Sequence, residues 1–167
     1  MAGVTQSPMI EALNKQFIEA LKTRNFAAVA GMFADEAIMM PPRRNIITGR
    51  NKIQSYWTRA TRIREIKFNT DNVTTLGDDV IREIGMLRMQ VERPGRLGAA
   101  GGSQDEGGEG AAAGAAEAAE LRSREILGKY VFLWRKINGE WKLETSIWNR
   151  NRPEVASRRP RRRRGRE

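Results

Sequence analysis

Neither cysteine nor histidine occurs in these 167 residues. The first absence excludes disulfides and thiolate metal sites; the second removes the usual general base and the commonest zinc ligand. Chemistry, if there is any, must come from carboxylates, Tyr, Lys, Arg, hydroxyls or bound water, and neither a cofactor nor a metal is expected. Long apolar runs are missing too. No stretch approaches the roughly 18 to 20 residues that a membrane-spanning helix needs, and the opening MAGVTQSPMIEALNKQF lacks the charged-then-apolar order of a signal peptide. These features predict a cytoplasmic protein without a membrane partner. The length fits one ordinary domain with a single core.

The formal charge is +10, and its distribution matters more than its size. Seven arginines and one glutamate fall between 158 and 167, whereas residues 94 to 122 hold two arginines and five acids. More than half of the excess therefore sits in a ten-residue tail. An arginine-rich tail can bind nucleic-acid phosphates in a salt-dependent, sequence-independent way, or serve as a nuclear address in a eukaryotic cell. No groove-reading element accompanies it. The segment 94–122 is mostly Gly and Ala with no aromatic, too poor in apolar area to offset its ordering entropy. It reads as a disordered insertion in a hairpin, tolerable because loop-closure cost grows slowly with length. The domain plan is thus one domain over 1–153, interrupted at 94–122, and a disordered tail at 154–167.

Between these segments the hydrophobic period changes once. Ser7-Pro8 is an N-cap and first-turn pair, and Ile10, Leu13, Phe17, Ala20 and Leu21 recur at helical spacing, predicting a helix from Pro8 to Arg24. Asn25 caps a second helix carrying Phe26, Val29, Ala30, Met32 and Phe33, to about Ala34. Asp35 and Glu36 then turn into a short strand, Ala37 to Met40, halted by Pro41 and Pro42. Gly49 opens a third helix, with Ile53, Tyr56, Trp57 and Ala60 on its apolar side, ending near Arg62. Four β-branched or aromatic runs follow: Ile66 to Leu76, Val80 to Val91, Glu125 to Ile137 and Glu140 to Asn149. Asn138-Gly139 between the last two is a strong hairpin signal. Three helices, one early strand and a four-strand antiparallel meander define an α+β domain with helices packed on a concave face.

Three stretches, FADEAIMMPP, ITGRNKIQSYW and GKYVFLWRKINGEWKLETSIWNRNRP, resemble the SnoaL-like branch of the nuclear-transport-factor-two-like superfamily in order and spacing. The resemblance covers Ile10 to Val91 and Arg124 to Pro153. It implies a cone-shaped, curved, mostly antiparallel sheet wrapped by three N-terminal helices, enclosing a pocket, and a homodimer formed through the sheet's outer side. It does not transfer an activity, because the superfamily hosts isomerases, cyclases, dehydratases, hydrolases and binding proteins. Ketosteroid isomerase aligns without gaps through ALKTRNFAAVAGMFADEA. Its oxyanion-hole tyrosine falls on Phe17 and its catalytic aspartate on Pro41, so that proton-abstraction chemistry is not expected. Related sequences often carry acid-x-Trp-Asn in the last strand; here Ser146 precedes Ile147, Trp148 and Asn149.

By the same resemblance Phe17, Met39, Trp57, Met86, Trp134 and Trp148 would line an apolar pocket for a hydrophobic small molecule. The bland alternative is that they are core, and Trp141, alternating with Leu143, reads more as sheet packing. Parity leaves the last strand open, since Trp141 and Leu143 point away from Ser146 and Trp148 unless a bulge intervenes. Polar candidates are few. Residues 81, 83, 85 and 87 share a face, so Glu83 sits among Ile81, Gly85 and Leu87, while Arg88 shares the face of Met86. A carboxylate there could act as a base, though such groups more often reach an arginine or the wet edge of the sheet. Tyr130, with Phe132 and Trp134 on its face, could donate a hydrogen bond into the cavity. Arg43 and Arg44 follow the proline pair in a loop that could rim the pocket and attract an anion. Arg59, Arg62, Arg64 and Lys67 lack interleaved exposed aromatics and do not form a nucleic-acid platform. The expected function is therefore a dimeric small-molecule-binding domain. The alternatives are an isomerase, cyclase, dehydratase or hydrolase acting on a hydrophobic compound, and polyanion tethering by the tail.

Overall fold

A computed structural model describes residues 7–92 and 123–151. The insertion expected at 94–122 and the tail expected at 154–167 lie outside the described residues. Ser7 caps α1 (Pro8–Lys22) by accepting the Ile10 amide, and the helix buries Ile10, Asn14, Phe17 and Ala20 along one stripe. Asn25 caps the short α2 (Phe26–Gly31) through the Ala28 amide.

The chain then departs from the predicted course. The second helix stops at Gly31 rather than near Ala34, and β1 starts at once, spanning Phe33–Met40. Asp35 and Glu36, expected in a turn, lie inside β1, where its register against the last strand shifts between Phe33 and Ile38. The irregularity leaves both acids facing outward while Phe33, Ala34 and Ala37 stay buried. A two-residue β2 (Ile47–Thr48), too short to leave a periodic signal, pairs antiparallel with β1 before Gly49, at φ 93°, opens α3 (Arg50–Arg59).

The meander follows as β3 (Ile63–Gly77), β4 (Val80–Glu92), β5 (Ser123–Ile137) and β6 (Glu140–Arg150). All consecutive pairs are antiparallel, and β1 joins β6 in parallel, giving one open, curved sheet ordered β2-β1-β6-β5-β4-β3. Asn138 and Gly139 both take positive φ, 51° and 84°, as a two-residue hairpin turn requires. In β6 the register against β5 skips one residue, with Leu133 opposite Thr145 but Trp134 opposite Leu143. Glu144 is thus an extra residue, and this bulge puts Leu143, Ser146 and Trp148 on the same buried face.

The helices cover the inner face of the sheet. Phe17 of α1 packs at 5.7 Å from Trp57 of α3 and 5.8 Å from Phe68 of β3. Phe68, Tyr130, Phe132 and Trp134 continue the contact across the meander, with Tyr130 and Phe132 4.5 Å apart. Offset and edge contacts at these distances are the favourable aromatic geometries, and they fill the interior.

Candidate functional site

Strand parity places Glu83 on the inner face of β4 with Ile81, Gly85 and Leu87, where it is fully buried. Among the described residues it meets no arginine, and it does not reach the sheet's wet edge. Its Oε1 accepts hydrogen bonds from Asn14 Nδ2 (2.6 Å), Thr70 Oγ1 (2.8 Å) and the Tyr130 hydroxyl (2.7 Å), and its Oε2 from Trp134 Nε1 (2.9 Å). Four donors on an acceptor-only group satisfy the carboxylate without a counter-charge. Gly85 makes this arrangement possible. A Cβ at that position would meet the Asn69 carbonyl and stand 2.8 Å from the Tyr130 hydroxyl, so only glycine lets the tyrosine cross β4 to reach Glu83. Burial first, then the nearby Glu83 charge, push the Tyr130 phenol well above its usual pKa, so it remains a donor.

A cavity of about 380 Å³ between α1 and β3 is lined by Asn14 and Thr70, two of the groups that hold Glu83, together with Ile10, Ile18, Phe68 and Val73. Glu83 stands behind these two side chains. A ligand in that cavity would meet the amide and hydroxyl before it met the carboxylate.

The largest of the described cavities lies elsewhere, at the end of the cone where the segment after Pro42, α3 and the end of β6 converge. It measures about 700 Å³. Its apolar walls are Ile46, Ile47, Tyr56 and Trp148, and its polar ones include Arg44, Lys52, Arg59 and Arg150. Among the described residues no acid lines it, in contrast to the cavity beside Asn14, which holds Glu11 and Glu19 as well as Lys15. Lys52, Tyr56 and Arg59 recur at helical spacing on one side of α3, and Trp148 and Arg150 are alternate residues of β6. Burial raises the Tyr56 pKa, against the pull of Arg44 and Arg150. Arg150 is lowered, first by burial and then by the charges of Arg124 and Arg43.

The predicted lining residues separate. Phe17, Met39 and Trp134 are buried in the packed interior. Trp57 is buried and borders a third cavity of about 330 Å³ between α1 and α3, whereas Trp148 borders the large one. Met86 stands on the opposite face of β4, 37% exposed, because it is odd in register with Glu83. Arg88 shares that outer face and pairs with Glu125 at 3.2 Å; Asp35 pairs with Arg50 at 2.9 Å. Arg44 does rim the large cavity, as the loop after the prolines suggested. Sequence reasoning missed Asn14, Thr70, Tyr56, Lys52 and Arg150. Asn14 left one signal: it is a polar residue inside the apolar stripe of α1.

The structure is an α+β cone with helices on its inner face, a polar cluster within and a cavity at its end, an architecture that by itself fixes no activity. The model of the SnoaL-like domain matches residues 14–142, and the chain belongs to that family. Among solved structures it is similar to a ketosteroid isomerase-like protein from Erwinia carotovora atroseptica SCRI1043, at 14% identity and a TM-score of 0.63, over 86% of this chain and 95% of that one. It is also similar to a type 2 hexachlorocyclohexane dehydrochlorinase, at 14% and 0.60, over 86% of this chain and 83% of that one. A function-unknown protein from Mycobacterium tuberculosis gives 15% and 0.60, over 87% and 71%. At these identities the likeness shows the fold alone. No curated protein matches.

Proposed function

We propose that this chain is a dimeric binding domain for a small molecule, with the cavity between the Pro42–Thr48 segment, α3 and the end of β6 as its site. The observation that carries the reading is that cavity: about 700 Å³, within the usual range for ligand sites, with Tyr56 and Trp148 as rigid aromatic walls. The interior aromatics suggested by the resemblance pack against one another, which favours the cavity at the end of the cone as the ligand's place. Catalysis by a carboxylate has little support, because the buried Glu83 is engaged by four donors and, among the described residues, the cavity lining holds no acid. An enzyme of the dehydratase or dehydrochlorinase kind, as some neighbours are named, would have to use Tyr56 or a lysine there.

The dimer rests on the outer face of the sheet. Ile84, Val131 and Ile147 stand side by side across β4, β5 and β6, with Leu133, Met86 and the 45% exposed Leu127 around them. Such an apolar row on a two-fold-compatible sheet face suits a second copy of the same surface.

Native mass spectrometry of the protein from its own cells, comparing intact and denatured masses, tests both parts. A dimer retaining a small molecule that Trp148→Ala releases is the expected result. A retained molecule unaffected by Trp148→Ala and by Tyr56→Ala would place the site elsewhere and overturn the assignment.

A further inference from the structure

The cavity at the end of the cone has a chemistry as well as a volume. Arg44 reaches it from the loop, Lys52 and Arg59 from α3 and Arg150 from β6, so cations arrive from three elements around an aromatic and aliphatic wall. Elsewhere on the described residues Arg50, Arg64, Lys67, Arg88, Arg135 and Lys142 each have a carboxylate within ion-pair distance. Among the described residues none of the four lining cations forms an ion pair. Arg43 and Arg124 stand close enough for their charge to bear on Arg150, so the positive field of the cavity extends beyond its lining. Like charges gathered without an acid repel one another, and a concave, partly apolar setting concentrates the field. An oxyanion seated there relieves that repulsion.

Resting on the reading of this cavity as the ligand site, we infer that its ligand is an amphipathic oxyanion: a flat apolar body against Tyr56 and Trp148, with a carboxylate or phosphate held among Arg44, Lys52, Arg59 and Arg150. Arginine suits the role because its planar fork pairs two oxygens at once. Tyr56 adds a hydroxyl that burial keeps protonated, a neutral donor beside the cations. The apolar wall explains why the ligand is not a bare ion, since a fully hydrated anion would gain nothing from Trp148.

Three probes of one shape test this on the full chain: naphthoate, naphthyl phosphate and the neutral naphthamide. Binding is read by calorimetry at low and high salt, and its place by the indole N–H resonance of Trp148, assigned with Trp148→Phe. Both anions are expected to bind at least about tenfold more tightly than the amide at low salt, to lose most of that preference at high salt, and to shift the Trp148 resonance. The ratio between the two anions identifies the favoured oxyanion. The Arg59→Gln, Arg150→Gln double variant should bring the affinity of the anions down towards that of the amide; both side chains are exposed, so the variant keeps its fold. Equal binding of all three probes with a shifted Trp148 would overturn the oxyanion inference and leave the cavity reading intact. Binding of none of them at Trp148 would overturn the cavity reading itself.

Discussion

Replacing Glu83 by glutamine exchanges one carboxylate oxygen for an NH2 group at a point where four donors converge. The amide can turn its oxygen towards Asn14, Thr70 and Tyr130 or towards Trp134, and the first choice loses less. Its NH2 then faces the Trp134 indole N–H across what was a 2.9 Å hydrogen bond, leaving two buried donors opposed. An unsatisfied buried donor costs roughly 1 to 3 kcal/mol. The other three bonds change from charge-assisted to neutral and lose about half their strength, on the order of 1 kcal/mol each. Against this, the neutral side chain no longer carries the desolvation penalty of a buried charge. The net expectation is a loss of about 2 to 4 kcal/mol, a large part of the roughly 5 to 15 kcal/mol that domains possess. Urea unfolding followed by far-ultraviolet circular dichroism measures it. A double-mutant cycle adds the sharper test: Trp134→Phe should cost about 1 to 2 kcal/mol less in the Glu83→Gln background than in the parent, because the opposed donor is then absent. A Glu83→Gln protein as stable as the parent, or an additive cycle, would refute the view that this network anchors α1 to β3, β4 and β5.

Other expectations follow from the same geometry. Both tyrosines of the chain have pKa values raised in the folded state, so folded protein holds their protons above pH 10 where unfolded chain releases them. Their contribution to stability is fully present below that pH and is lost as pH rises, at up to about 1.4 kcal/mol per pH unit for each group; tyrosinate absorption should appear together with unfolding, and a normal titration preceding unfolding would contradict this. Gly85→Ala should displace Tyr130 from Glu83 and lower the urea midpoint, by about 2 to 4 kcal/mol in stability from overpacking and a lost buried hydrogen bond, whereas Gly31→Ala, with open space around its Cβ, should change little. If the outer apolar row forms the proposed dimer, Val131→Arg at its centre should leave a folded monomer in sedimentation, and a dimer surviving the substitution would move the interface elsewhere.

The sequence by itself determined the α+β order, the three helices and the meander, but not which face of β4 turns inward, since Met86 was expected in the pocket and stands outside. These rest on local physics: the Ser7-Pro8 cap, the period of α1, the alternation from Ile81 to Met89 and the Asn138-Gly139 turn leave the chain few choices. Tertiary structure decided the rest. The chain leaves α2 early because Phe33 and Ala34 gain more buried in β1 than in a lengthened helix, and no local signal marks that competition. The extra residue at Glu144 reconciles Leu143 with Trp148 only when β6 is laid against β5, so the parity left open by the sequence is settled by pairing. Glu83 was legible as an acid on an apolar face, but three of its four partners come from 69 residues upstream and 47 and 51 downstream, distances over which no spacing rule operates. The cavity at the end of the cone is less legible still. Arg44 was legible as a loop cation near a pocket rim, but Arg59 and Arg150 read as surface cations, and the three line one cavity only because a loop, a helix and the last strand end at the same place. Periodicity reports which way a side chain faces, and only the packing of whole elements reports what it faces.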